Sequence, residues 1–306
     1  MPTSLLRKVK AKTAVRAHRK VRSVLDGEHG SIHKGRSMDF DDLREYVLGD
    51  DVKDLDWKAT ARSGRPLVKR FVATRQHAIT LVVDTGQSMS ALADATSTKR
   101  DVAVFAAGVV AQLATRHGDL VGLLAAPAPP GTATVRNAAR AQYIPPGSRD
   151  VHIERILRTI HDAIDPAGLP SQLDVLLDYA ALNLRRQMIL VIIADDTDLT
   201  DRRRVLLRRL DAQHEVLYCC VGDVTMTDPA LAGRDLHVVG AGAQVPAFFR
   251  HGETLHDDLV ATMRRRSEAT TTALGRLGIA AVRLSGESSV VPGVVELLER
   301  HRRTRR

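Results

Sequence analysis

The chain has 306 residues, 44% apolar and 26% charged, the composition of an ordinary soluble globular protein with room for one large or two modest domains. Aromatic residues at 3% leave few stacking platforms for single-stranded nucleic acid, and the adjacent pair Cys219 and Cys220 in an apolar run excludes a disulfide framework or zinc site. No apolar stretch approaches the roughly 20 residues of a membrane helix and the N-terminus lacks the apolar core of a signal peptide, which predicts a cytoplasmic protein.

The formal net charge is +9, and the surplus sits at the two ends. Residues 1–22 carry eight bases (Arg7, Lys8, Lys10, Lys12, Arg16, Arg19, Lys20, Arg22) and no acid, and the last seven residues carry Arg300, Arg302, Arg303, Arg305 and Arg306. Taking those thirteen away leaves 32 bases against 36 acids, so the body is mildly acidic. The segment 1–36 reads as a basic arm, mobile or a solvated helix. Such an arm suits nucleic acid or an anionic membrane, with a peripheral place at the inner face of that membrane.

Residues 37–77 are polar and short in period, which predicts a small β-rich or irregular extension. Its string Gly49-Asp50-Asp51-Val52-Lys53-Asp54-Leu55-Asp56-Trp57 lacks the central glycine and closing glutamate of a calcium loop. It reads instead as a junction whose acids pair with Arg44, Lys58 and Arg62, and Trp57 reads as core. From residue 78 to 306 apolar runs alternate with helical periods. Runs at 78–83, 119–126, 140–144, 188–193, 215–221 and 279–284 are separated by helices near 98–116, 149–163, 171–186, 200–212, after 251 and at the C-terminus. Runs that are apolar throughout are expected where helices cover both faces, so this part is α/β with a doubly wound, mostly parallel sheet.

Ligands of such sheets bind at the carboxyl ends of the strands. Asp84 ends Leu81-Val82-Val83, and Asp195 ends Val191-Ile192-Ile193-Ala194. Carboxylates that converge at one edge bind a cation, and Ser88 and Ser171 stand near helix starts with hydroxyls to add. Carboxylate and hydroxyl oxygens with water suit Mg2+ or Mn2+. The same two serines are equally helix caps, and Asp84 is equally a plain strand end.

The passage Asp39-Phe40, Leu43-Arg44-Glu45-Tyr46, Gly49-Asp50-Asp51, Leu55-Asp56-Trp57, Ala61-Arg62, followed by Val83-Asp84-Thr85-Gly86-Gln87-Ser88-Met89, resembles the bacterial domain-of-unknown-function 58 family. That family is similar to von Willebrand factor A domains, whose doubly wound sheet carries a metal-ion-dependent adhesion site at its carboxyl edge. The resemblance implies a partner of MoxR-type AAA+ ATPases, acting as an adaptor in a chaperone-like system. It also implies a ligand set of Asp84, Ser88, Ser171 and Asp195, with Asp196 next to the last position and Gly86 standing where the pattern has its first serine. The expected role is a non-enzymatic interaction module whose bound divalent ion takes an acidic side chain from the partner ATPase or its client.

Val82-Val83-Asp84-Thr85-Gly86 also spells the aspartic-protease triplet. Those enzymes need two such triplets on an all-β fold, whereas this chain has one followed by a helix. A haloacid-dehalogenase-like phosphatase needs a second aspartate where Gly86 stands. No general base or nucleophile is specified for a metal-activated hydrolase.

Overall fold

The computed structural model of the chain describes residues 4–16, 38–47, 49–73, 76–126, 141–245 and 253–304. Two compact units emerge, one of Met1–Asp26 with Ala78–Arg306 and one of Gly27–His77. The first opens with helix α1 (Leu5–Arg16) and carries the main sheet; the second holds β1 (Met38–Glu45), helix α2 (Trp57–Ser63) and β2 (Leu67–Ala73).

In the small unit β1 pairs antiparallel with β2, and a register shift between Phe40 and Asp42 marks a bulge. The acidic string between the strands supplies turn and cap chemistry. Asp50 binds the Arg44 guanidinium at 2.5 Å and accepts the Val47 N–H at 3.0 Å. Asp51 accepts the Lys53 N–H, and Asp56 accepts the N–H groups of Lys58 and Ala59 to cap α2. The expected Arg44 pairing is therefore present, while Lys58 contributes its backbone. Gly64, at φ 71°, closes α2 in the left-handed conformation that glycine adopts without penalty. Trp57 is corrected from core to surface: it is 66% exposed, because α2 is only seven residues long and buries none of them.

The large unit contains β3 (Ala78–Val83), β4 (Leu120–Ala125), β5 (Gln142–Gly147), β6 (Ile189–Asp195), β7 (Glu215–Val221) and β8 (Ala280–Leu284) in the spatial order β5-β4-β3-β6-β7-β8. Every neighbouring pair is parallel except β4 with β5. The chain lays β3, β4 and β5 outward in one direction, then returns to the other side of β3 for β6, β7 and β8. The doubly wound, mostly parallel α/β sheet expected from the sequence is thus the observed one, and its strand order reverses between β3 and β6. Edge strand β5 contains Pro145 and Pro146, which cannot donate to a further strand.

Helices α3 (Lys99–Arg116), α4 (Asp150–Ala163), α5 (Leu173–Asn183), α6 (Asp201–Gln213), α7 (Glu253–Arg276) and α8 (Glu287–Thr304) cover the two faces. Successive strand residues point to opposite faces, so each strand feeds two cores. Leu81, Val83, Ile193 and Cys219 pack with α1, α3, α4 and α8, whereas Val82, Ile192 and Cys220 pack with α5, α6 and Leu274 of α7. Cys219 and Cys220 therefore face away from each other. Burial pushes the Cys219 thiol up to about 12, which leaves it unreactive at neutral pH. No helix among the described residues is long and apolar enough to cross a membrane.

The start of the basic arm is corrected from mobile or solvated to docked. Leu6, Val9 and Thr13 form one buried face of α1, and Val9 fits a notch over Gly108, where a Cβ would lie 2.6 Å from Val9 Cγ2. Glu154 of α4 caps the helix, accepting the Leu5 and Leu6 N–H groups at 3.1 and 2.9 Å and the Ser4 hydroxyl at 2.8 Å. Lys10 pairs with Asp150 at 2.7 Å and Lys12 with Glu287 at 2.6 Å. Arg19, Lys20, Arg22, Arg305 and Arg306 lie outside the described residues.

Glu154→Ala removes the acceptor for four donors at once, the three at the start of α1 and Arg158 Nε. A loss of about 1–2 kcal/mol is expected for such a cap, read as a lower denaturant midpoint together with faster proteolytic cleavage within residues 5–16. Burial also holds the imidazole of His214, at the end of α6, below its ordinary pKa, although the Leu184 backbone pulls the other way. A base whose folded pKa is depressed contributes stability that is complete above about pH 6.5 and is lost as the pH falls through the folded value. Melting curves between pH 7 and 5 should therefore show a stability loss that shrinks in His214→Leu.

Candidate functional site

The reversal of strand order between β3 and β6 opens the carboxyl edge of the sheet there. Val83 pairs with Ile193, and the Asp84 N–H donates to the Ile193 carbonyl at 2.9 Å, so the ladder continues one residue past β3. Strand alternation then separates the two acids. Asp84 follows Val82 toward the α5 and α6 face, while Asp195 follows Ile193 toward the α3 face.

On the α5 side, Asp84 is 1% exposed and both of its oxygens are engaged. The Ser171 hydroxyl donates to Oδ2 at 2.5 Å and the Gly86 N–H to Oδ1 at 3.0 Å. Burial raises the Asp84 pKa above the ordinary carboxylate range, against the lowering effect of these two hydrogen bonds. The loop before α5 lies directly on the turn after β3, and the Gln87 N–H donates to the Leu169 carbonyl at 2.8 Å. A Cβ at position 86 would stand 2.6 Å from both Cα and N of Ser171. Backbone therefore fills the space that a serine at position 86 would need. Ser88 lies half-buried in the 3-10 turn Gln87–Ser90, and among the described residues no hydrogen bond joins its hydroxyl to Asp84 or Asp195.

On the α3 side, a residue that the sequence reading passed over dominates. Lys99 is 1% exposed, and its ammonium lies 2.6 Å from Asp195 Oδ1 and also contacts Asp223 Oδ1. Lys99 is the first residue of α3, fixed by a Thr98–Asp101 capping box and by its own N–H donating to Ala91 O at 2.8 Å. Burial raises the pKa of Asp223 although Lys99 opposes that shift. Asp196, the neighbour of Asp195, takes the Arg283 guanidinium at 3.0 Å. Arg203 of α6 binds Asp174 and the Thr197 hydroxyl, each at 2.8 Å.

The structure thus joins Asp84 with Ser171, places Ser88 in the adjoining turn, and gives Asp195 to a lysine. Lys99 has one local signal in the sequence: a cation in the first turn of a helix opposes the helix dipole. Asp223 was legible by the argument that found Asp84, since it closely follows an apolar run. Among the described residues no three His, Cys, Asp or Glu side chains gather as a metal-binding group. The four expected ligands do not fit a hydrated divalent ion as they stand: two oxygens of Asp84 and the Ser171 hydroxyl satisfy each other and the turn, and an ammonium covers Asp195.

Beside Asp223 a cleft of about 250 Å³ opens along the carboxyl ends of β7 and β8. Asp94, Asp228 and Ser285 line it together with Val260, Met263 and Arg264 of α7.

Gly86→Ser, which restores the adhesion-site spelling, should destabilise the fold by about 1–3 kcal/mol through overpacking against the 170–171 backbone. Thermal melts with and without millimolar Mn2+ check this, and addition of the ion should not recover the loss.

Comparison with known proteins adds the family. The family described as protein of unknown function DUF58 matches residues 42–232. Uncharacterized proteins of Mycobacterium bovis and Mycobacterium tuberculosis are 31% identical to the chain over 258 residues, covering 84% of it and 77% of their own length. Among solved structures, an aerotolerance-related membrane protein of Bacteroides fragilis, crystallised with multiple mutations to serines, is similar with a TM-score of 0.44 and 13% identity, over 73% of this chain and 98% of that one. A von Willebrand factor type A protein of Catenulispora acidiphila gives a TM-score of 0.39 and 10% identity, over 77% of this chain and 45% of that one. The fold assignment rests on the strand order itself, and the family match, which begins in the small unit and runs through β7, establishes that the chain belongs to the DUF58 family.

Proposed function

We propose that the chain is a non-enzymatic protein-interaction module that meets its partner through the loops at the carboxyl edge of the sheet, with a MoxR-type AAA+ ATPase or its client as that partner. The observation that carries this reading is the state of the strand-end acids. Asp195 and Asp196 are held by Lys99 and Arg283, and Asp84 by the Ser171 hydroxyl and the Gly86 N–H, so each is committed to a contact within the fold, while the cleft next to Asp223 stays open. General acid–base work needs a group free to reach the proton it moves. The cleft is smaller than the roughly 300–1,000 Å³ of small-molecule pockets, and it combines a partly exposed Val260 with charged groups, as the rim of a protein interface does. The ATPase as partner follows from the family resemblance carried by residues 39–89.

The second reading is binding of nucleic acid or anionic membrane through the basic termini; in α1, Lys10 and Lys12 have carboxylate partners whereas Arg7 and Lys8 are exposed.

The test uses the full chain and the purified ATPase. Val260 is 40% exposed on α7, so Val260→Glu should leave the melting temperature unchanged. An interface position there should lower affinity about tenfold or more by titration calorimetry. Unchanged affinity in both Val260→Glu and Arg264→Glu, or absence of any complex with ATPase or client, would overturn the proposal.

A further inference from the structure

An adhesion site of the von Willebrand type holds its strand-end carboxylates with a divalent cation. In this chain one of those carboxylates, Asp195, is met instead by a side chain. Lys99 projects from the first turn of α3, is 1% exposed, and brings its ammonium to 2.6 Å from Asp195 and into contact with Asp223. We infer that the Lys99 ammonium is the built-in substitute for the divalent cation, so that this edge of the sheet is held together without metal.

Three independent observations support the assignment. First, three carboxylate oxygens are already committed: Ser171 and the Gly86 N–H occupy the two oxygens of Asp84, and Lys99 occupies Oδ1 of Asp195. A divalent ion such as Mg2+ requires near-octahedral oxygen ligation and keeps several waters, and it would have to break these contacts to enter. Second, the space for the first serine ligand is filled, because the Ser171 backbone lies within 2.6 Å of where a Cβ at position 86 would be. Third, the lysine is placed against the local preference. A cation at the N-terminus of a helix faces the positive end of the dipole, so its position there is sustained by Asp195 and Asp223.

The substitution has a thermodynamic logic. A tethered ammonium is present at high effective concentration and gives up little translational freedom on pairing, whereas a free ion must be drawn from solution. Two carboxylates share one ammonium. Asp223 is accordingly the more exposed of the two, with 48% of its side chain open to solvent against 9% for Asp195. The ammonium offers no vacant coordination position to an acidic side chain of a partner. Recognition at this edge then depends on contacts at the cleft, a consequence that rests on the interaction reading above, whereas the cation assignment does not.

The experiment needs no partner, so it separates this inference from the proposed function. The full chain is melted in chelator and in rising millimolar Mg2+ or Mn2+, with calorimetric titration of the same ions. The wild type should show neither a melting shift nor saturable heat. Lys99→Met keeps the length of the stem and removes the charge, leaving two carboxylates uncompensated. It should melt several degrees lower in chelator and recover saturably with Mn2+, and Asp195→Asn added to it should abolish that recovery. Saturable binding of either ion to the wild type that is lost in Asp195→Asn would overturn the inference. So would a folded Lys99→Met that melts like the wild type or gains nothing from Mn2+. If Lys99→Met fails to fold under every condition, the wild-type titration decides alone.

Discussion

The pairing of β3 with β6 is the constraint on which the rest of the site depends. Val83 opposite Ile193 sets the register at the centre of the sheet, where the strand order reverses. A one-residue slip would send every side chain of one strand to the other face. In the observed register Val83 and Ile193 feed one core and Val82 and Ile192 the other, all fully buried, and a slip would exchange these sets and carry the strand-end acid of the slipped strand to the opposite face. The same parity sends Asp84 to the loop before α5 and Asp195 to the first turn of α3. Two acids that stand at neighbouring strand ends thereby acquire different surroundings: a hydroxyl and a backbone N–H for one, an ammonium for the other.

Charge placement follows a similar logic across the molecule. At the edge of the acidic body inferred from composition, Lys99, Arg283 and Arg203 reach Asp195, Asp196 and Asp174 from α3, β8 and α6. In α1, Lys10 and Lys12 meet Asp150 and Glu287. Such pairs gain little where they are exposed, but a buried one is different in kind: removing one member strands the other without water, at a cost of about 3–5 kcal/mol. Lys99 with Asp195 belongs to the second class and the α1 pairs to the first. The docking of α1 therefore owes more to Leu6, Val9 and the Glu154 cap than to its charges.

The sheet was legible in the sequence because its strands are covered on both faces and so are apolar throughout, a pattern that needs no knowledge of pairing. The antiparallel direction of β5 was not legible, since direction is decided by the path of the chain and not by Tyr143-Ile144-Pro145-Pro146. Asp84 and Asp195 were visible as strand-end acids, and their convergence on one edge is real. Their separation onto two faces depends on register, which local sequence does not carry. In α1 the apolar stripe of Leu6, Val9 and Thr13 is three positions in a basic segment, too weak against the charge to announce a docked helix. Trp57 misled for the opposite reason: residue type argued for burial, but a seven-residue helix capped at both ends is held by its caps and can leave its tryptophan outside.

Gly86 and Lys99 are two halves of one arrangement. With a serine at position 86 the 169–171 loop could not lie against the turn after β3, Ser171 would be pushed off Asp84, and a buried carboxylate would lose its hydroxyl donor. Without Lys99, Asp195 and Asp223 would face each other with no cation between them. A glycine alone would close the metal cradle and leave these acids repelling, and a lysine alone would compete with a cradle still open to an ion. On the inference drawn above, together they would stand in for an exchangeable cation with a contact fixed in the chain. A surface preorganised in this way gives up less conformational freedom when a partner docks, so on the proposed reading complementarity of the loops, and not the supply of an ion, would set affinity.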